Sequence, residues 1–149
     1  MKKNILFIAT PISGFENPKE YNIFRNKLLS AIKKLSRLEK VEKIICESQN
    51  VKTVSDYDSP YLSAQNDFRH ISQSSHFILL YPQKAITGAL IELGFAIALK
   101  KKILIIAPTP EVLPYMAQEL DKVYSNIQNI FAPYETIDIY EIIKHFITE

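Results

Sequence analysis

Hydrophobic residues fall along this chain in five short runs, separated by longer stretches of mixed polarity. The runs predict strands at Asn4 to Ala9, Lys43 to Glu47, His76 to Tyr81, Lys102 to Ala107 and Asn129 to Ala132. The third and fourth hold the unbroken cores Phe77-Ile78-Leu79-Leu80 and Ile103-Leu104-Ile105-Ile106. Continuous apolarity of that kind marks a parallel strand covered on both faces, whereas a half-exposed strand alternates. The intervening stretches follow the helical period. From about Pro18 to Leu38, apolar residues recur at Phe24, Leu28, Ala31, Ile32 and Leu35. Ser59-Pro60 offers a second helix an N-cap with Pro at its first position. A third helix covers Thr87 to about Lys100. A fourth is expected to open at Thr109-Pro110 and a fifth at Thr136, the last carrying Ile139, Ile142, Ile143 and Phe146 on one face.

Five β-α units in succession predict an α/β class with one parallel sheet. Right-handed crossovers with helices on both faces favour a doubly wound, five-stranded sheet in the flavodoxin-like, Rossmann-like order 2-1-3-4-5. No internal repeat, low-complexity tract or linker interrupts the pattern, so residues 1–149 are expected to form one domain. The basic groups Lys33, Lys34, Arg37, Lys40 and Lys43, and Lys100-Lys101-Lys102, fall at predicted helix C-termini, where solvated positive charge suits the helix dipole.

Composition removes several function classes. The 149 residues are 47% hydrophobic and 23% charged, which excludes intrinsic disorder. A formal net charge of +2 implies neither a nucleic-acid nor a membrane-surface partner. One Cys forms no internal disulfide, and it offers no zinc spacing with three scattered His. Cys46, in Lys43-Ile44-Ile45-Cys46, reads as a buried strand thiol. No targeting segment and no run near the roughly 20 apolar residues of a membrane span is visible, so a cytoplasmic protein is expected.

In a doubly wound sheet, ligands bind beyond the carboxyl ends of the strands, where the strand order reverses. Here that point lies between strands one and three. The three glycines agree with it: Gly14 follows strand one, and Gly88 and Gly94 follow strand three. The segment Ala85 to Leu99 contains one ionisable residue, Glu92. Its same-face neighbours are Gly88, Ala89, Phe95 and Ala96. A carboxylate on an apolar face is costly without a partner or a task, which makes Glu92 the leading catalytic candidate. Asp67 lies on the preceding helix and can face the site only from that helix's first half; pairing with Arg69 or Lys84 is the equal alternative. Tyr21, on the first helix, can reach into the same crevice, or serve as a half-buried amphipathic ring. There is no Gly-x-Ser-x-Gly, no Walker A loop and no dinucleotide glycine fingerprint; Ala9-Thr10-Pro11-Ile12-Ser13-Gly14 follows strand one. A response-regulator reading fails because Tyr81-Pro82 stands where an Asp is needed.

Gly88, Glu92, Leu93, Gly94 and Ala96 form the pattern Gly-x-x-x-Glu-Leu-Gly-x-Ala. With the Pro/Gly loop after strand one, Tyr21, and Asp67 ahead of strand three, the chain resembles the nucleoside 2-deoxyribosyltransferase family. That family includes the 2'-deoxynucleoside 5'-monophosphate N-glycosidases. The resemblance implies cleavage or transfer at an N-glycosidic bond, without a metal or redox cofactor. It implies Glu92 as the nucleophile that forms a glycosyl-enzyme, Asp67 orienting sugar or leaving base, and Tyr21 holding Glu92. Pro11, Ser13, Gly14, Thr87, Gly88 and Asn129 become substrate-binding positions. The implied partners are a small nucleoside or nucleotide substrate and a second copy of the chain, in a homodimer or higher homo-oligomer whose sites lie near the interface, with Asn129 donated across it.

Three features depart from the family's pattern. Ile86 replaces an Asp that contacts the base in transferases. The first loop carries no Arg, and its Glu16 repels a 5'-phosphate. Pro114 replaces a phosphate-contacting Ser. A similar layout also occurs in TIR-like NAD nucleosidases, and a non-catalytic nucleotide-sensing module is the alternative from outside enzymology.

Overall fold

A computed structural model describes residues 3–11, 16–49, 59–85 and 87–149. The strands are β1 (Asn4–Ala9), β2 (Val41–Ile45), β3 (His76–Leu80), β4 (Lys102–Ala107) and β5 (Ile127–Phe131). The helices are α1 (Pro18–Leu35), α2 (Pro60–Gln73), α3 (Ala89–Ala98) and α4 (Ile139–Thr148). All strand pairs are parallel, in the order β2-β1-β3-β4-β5. This is the doubly wound order expected from the sequence.

Side-chain alternation divides the core into two layers. Leu6, Ile8, Ile78, Leu80, Leu104 and Ile106 face α1 and α4. Phe7, Ala9, Phe77, Leu79, Ile103 and Ile105 face α2, α3 and the β4–β5 connection. Across the second layer Phe7 and Phe77 stack with ring centres 5.6 Å apart. Every residue of β3 is buried, as its unbroken apolar run requires.

Several limits differ from expectation, each for a local reason. The fourth helix does not form: the β4–β5 connection makes three single 3-10 turns, Pro110–Val112, Tyr115–Ala117 and Leu120–Lys122. Pro114 has no N–H to continue a helix begun at Pro110, and its carbonyl instead accepts from Ala117 N–H at 2.8 Å. The final helix starts at Ile139, because the Asp138 side chain rather than Thr136 caps it, accepting from Glu141 N–H at 3.1 Å. β2 and β5 each begin two residues before the predicted position, because the polar Glu42, Lys43 and Gln128 interrupt their apolar pattern. α1 stops at Leu35, where the Ser36 hydroxyl turns back to Lys33 O at 2.8 Å. α3 ends against Lys100, whose φ of 56° is left-handed, while Lys101 N–H closes onto Ala96 O.

Candidate active site

The site is assembled at the carboxyl edge of the sheet, on the α2 and α3 side. α3 lays Ala89, Leu93 and Ala96 against the sheet. Its start is fixed by Thr87, whose Oγ1 accepts from Ala89 N–H at 3.3 Å, and by Gly88, whose carbonyl accepts from both Ile91 and Glu92 N–H. Glu92 thus occupies the first turn, earlier than a Thr87 cap would place it, on the flank that faces α2. α2 buries Ile71 in the same layer. Phe68 of α2 stacks on Phe95 of α3 with ring centres 4.5 Å apart and planes 19° from parallel. Phe68 and Phe95 adjoin Asp67 and Glu92 in their helices, so the stack fixes the crossing at which the acids meet.

They meet directly: the Asp67 and Glu92 carboxyl groups are hydrogen-bonded. Two carboxylates cannot bond to one another unless one carries a proton. Burial is the largest influence on Glu92, followed by the Asp67 charge and hydrogen bond and then the Glu47 charge, and together they push its carboxyl up to about 9. All four act in the same direction. They outweigh the N-terminal dipole of α3, which favours the ionised form. At neutral pH Glu92 therefore holds its proton. Arg69, the alternative partner for Asp67, donates instead to Asn66 Oδ1 at 3.2 Å.

Glu47 was not among the candidates from the sequence. The hydrophobic pattern places it at the end of a strand, whereas β2 ends at Ile45 and Glu47 opens a single 3-10 turn, Glu47–Gln49. Its position past the carboxyl end of β2, next to β1, was the available signal. The turn is tied to α1 by Arg25, which donates to Gln49 O at 3.3 Å. Tyr21 is buried on α1, within electrostatic reach of Arg25 and Cys46. Burial, the larger effect, raises the Tyr21 hydroxyl's pKa against the lowering influence of Arg25, so the phenol stays neutral.

Pro11 is buried beyond β1. Beside it the Thr10 hydroxyl, 7% exposed, has no hydrogen-bond partner among the described residues. Thr10 is a second residue missed at the sequence level. Ser13 and Gly14 lie outside the described residues, as does Ile86. Gly88 has an ordinary helical φ of −62°, and a Cβ there or at Gly94 meets nothing within 4 Å, so neither glycine is required by this chain's own packing. Asn129 lies on β5, where its amide donates to Ala117 and Gln118 carbonyls at 3.1 and 3.3 Å; within the chain it braces the β4–β5 connection. On the opposite flank of α3 from Glu92, Tyr81, Lys84, Ala85, Thr87, Leu90, Val112 and Pro114 line a cavity of about 560 Å³. Among the described residues, no group of three His, Cys, Asp or Glu is arranged to hold a metal ion, and no helix is long and apolar enough to cross a membrane.

No protein-family model matches this chain, and no curated protein matches its sequence. Among solved structures, it is similar to the Clostridium botulinum CMP N-glycosidase BcmB, with a TM-score of 0.62 and 19% identity over 95% of this chain and 98% of that one. At that identity the likeness establishes the fold.

Proposed function

We propose that the protein cleaves the N-glycosidic bond of a nucleoside-type donor, with Glu92 as nucleophile and Asp67 as its acid–base partner. The observation that carries this reading is the hydrogen-bonded carboxyl pair on the apolar flank of α3. A structural pair in such a place would be destabilising, since two acids are desolvated together without an opposing charge among the groups that act on Glu92. Displacement at an anomeric carbon uses both members: one carboxylate attacks while one acid protonates the departing group. The bond type named for BcmB and the Gly-x-x-x-Glu-Leu-Gly-x-Ala pattern support the same chemistry.

In this reading the pair's proton resides on Asp67 in the reactive complex, leaving Glu92 ionised. A Glu92 carboxylate oxygen bonds to the anomeric carbon as the carbon–nitrogen bond breaks. The electron pair of that bond goes to the base nitrogen, and the base takes the Asp67 proton directly or through its ring system. Water or a second base then attacks the same carbon, gives its proton to Asp67 and releases Glu92 as carboxylate. Hydrogen-bonded carboxyls are closer than the roughly 5 Å at which acid and nucleophile flank a scissile bond in retaining glycosidases, so the substrate parts the pair on entry. The outward side of α3, where Ile91 is 66% exposed, supports completion of the site by a second copy of the chain.

The test is chromatographic detection of free base from 2'-deoxynucleosides, their 5'-monophosphates, ribonucleosides and NAD, with and without an acceptor base. Base release that disappears in Glu92→Gln is expected; acceptor dependence divides transferase from hydrolase. Nicotinamide from NAD alone moves the protein to the NAD nucleosidase class. Ligand binding without any base release makes it a sensor.

A further inference from the structure

We propose that a cavity at the amino edge of the sheet, at the opposite end from Glu92, binds an organic phosphate with an apolar body. The cavity has a volume of about 460 Å³, within the range of small-molecule sites. Leu38 and Ile147 form its apolar part, and both belong to the layer that α1 and α4 make with the sheet. Three cations line it from three elements: Lys3 ahead of β1, Lys40 in the α1–β2 turn and Lys144 on α4. Glu39 and Thr148 complete the lining. A fourth cation stands close by, since Lys34 and Lys144 both approach the Tyr140 ring, at 5.7 and 5.6 Å from its centre.

Lysines near helix C-termini commonly serve the orphan carbonyls there. Here other donors already hold those carbonyls. At the end of α1, the N–H groups of Ser36, Arg37 and Leu38 donate to the Ile32, Lys34 and Leu35 carbonyls, and Ser36 Oγ donates to that of Lys33. Val41 N–H takes the Leu38 carbonyl, and Asn4 N–H takes that of Lys40. At the end of α4, Lys102 donates to the Phe146 and Glu149 carbonyls, and Thr148 Oγ1 to that of His145. The Glu149 side chain pairs with His145 at 2.9 Å. Among the described residues, the ammonium groups of Lys3, Lys40 and Lys144 donate no hydrogen bond and form no ion pair.

Like charges gathered without acceptors repel one another, and a low-dielectric wall focuses their field. Glu39 is the one acid of the lining, against three cations, so the cavity is net positive and suits an anion. Ammonium groups bind phosphate as point charges, and a phosphate monoester offers three free oxygens to three of them. Leu38 and Ile147 add what a bare inorganic ion does not use, a surface for hydrocarbon carried by the ester.

The experiment is calorimetric titration of the whole chain with n-octyl phosphate below its micelle threshold, with inorganic phosphate and 1-octanol as controls. Octyl phosphate should bind one-to-one, at least about tenfold tighter than either control, and more weakly as salt is added. The double variant Lys40→Gln/Lys144→Gln should lose about tenfold or more. Lys33→Gln/Lys43→Gln removes the same charge from residues outside this cavity and should stay within about twofold of wild type. Melting temperatures equal to wild type keep a loss of fold out of the comparison. Cosedimentation with phosphatidic acid vesicles, and not with phosphatidylcholine ones, identifies the phosphate as a lipid headgroup; octyl phosphate binding without cosedimentation identifies a soluble ester. No octyl phosphate binding, equal affinity for octanol, or an equal loss in the two double variants overturns the inference. None of these outcomes bears on the N-glycosidic reading, which is tested by base release at the other edge.

Discussion

The two edges of the sheet treat their charged groups in opposite ways. At the amino edge Lys101 and Lys102 are built into the fold. Lys101 donates to the carbonyls of Ser72 and Ser74, both at 2.8 Å, and Lys102 to those of Phe146 and Glu149 at 3.2 and 3.0 Å. These carbonyls lie at the C-terminal ends of α2 and α4, where orphan acceptors and the negative end of the dipole welcome an ammonium group. Lys102 also sits over the Phe146 ring, 5.2 Å from its centre. At the carboxyl edge the acids do the reverse. Asp67 and Glu47 both make ionisation of Glu92 harder, and burial adds to them. Basic side chains that satisfy helix ends are part of the scaffold; acids gathered where each weakens the next signal a site held at some cost to stability.

The sharpest way to break this comparison is Glu92→Gln. Turnover should fall roughly a thousandfold or more, with ligand binding retained, as assayed by base release and calorimetry. Stability should change the other way. The folded chain keeps the Glu92 proton up to about 9, while the unfolded chain releases it near the ordinary 4.5, so the unfolded state binds fewer protons between those values. Stability therefore declines as pH rises through that window, and the amide variant should melt a few degrees higher than wild type at pH 8. An unchanged melting temperature would mean that the acidic edge is no more strained than the basic one.

At the amino edge the corresponding group is His76. It is 7% exposed, bonded to Ser75 Oγ at 2.8 Å and set edge-to-face on Phe146. Burial, with a smaller contribution from Lys102, lowers it from the ordinary 6.5 to about 4. A base whose folded pKa is depressed loses stability as pH falls from the unfolded toward the folded value, here by up to about 3 kcal/mol. Denaturant midpoints between pH 7 and pH 4 should show that loss in wild type and much less of it in His76→Gln. Removing the double carbonyl contact in Lys101→Met should cost about 1–2 kcal/mol, with kcat/KM unchanged. The smallest effect is a gain: Lys100→Gly relieves the left-handed φ of 56° and should stabilise by about 1 kcal/mol in denaturant titration.

The sequence made the sheet legible because β1 and β4 are nearly pure apolar runs, and their limits match the expected ones at Asn4–Ala9 and Lys102–Ala107. The fourth helix is not legible as absent because Thr109-Pro110 supplies a start signal while Pro114 removes the N–H needed to continue. Glu92 stood out as the one charge in an apolar helix. Its pairing with Asp67 could not be read, because it depends on how α2 crosses α3, and that crossing is set by ring packing between residues 27 positions apart, Phe68 and Phe95. Glu47 was hidden for a related reason. A two-residue error in the limits of β2 turned a residue at the crevice into the last residue of a strand.

The most direct test of the central claim is the mass of the protein quenched in acid during turnover of a 2'-deoxynucleoside. An adduct equal to one deoxyribosyl group, located by peptide mapping to Glu92 and absent from Glu92→Gln, is the expected result. An adduct on another residue, or base release at full rate by Glu92→Gln, would contradict the account.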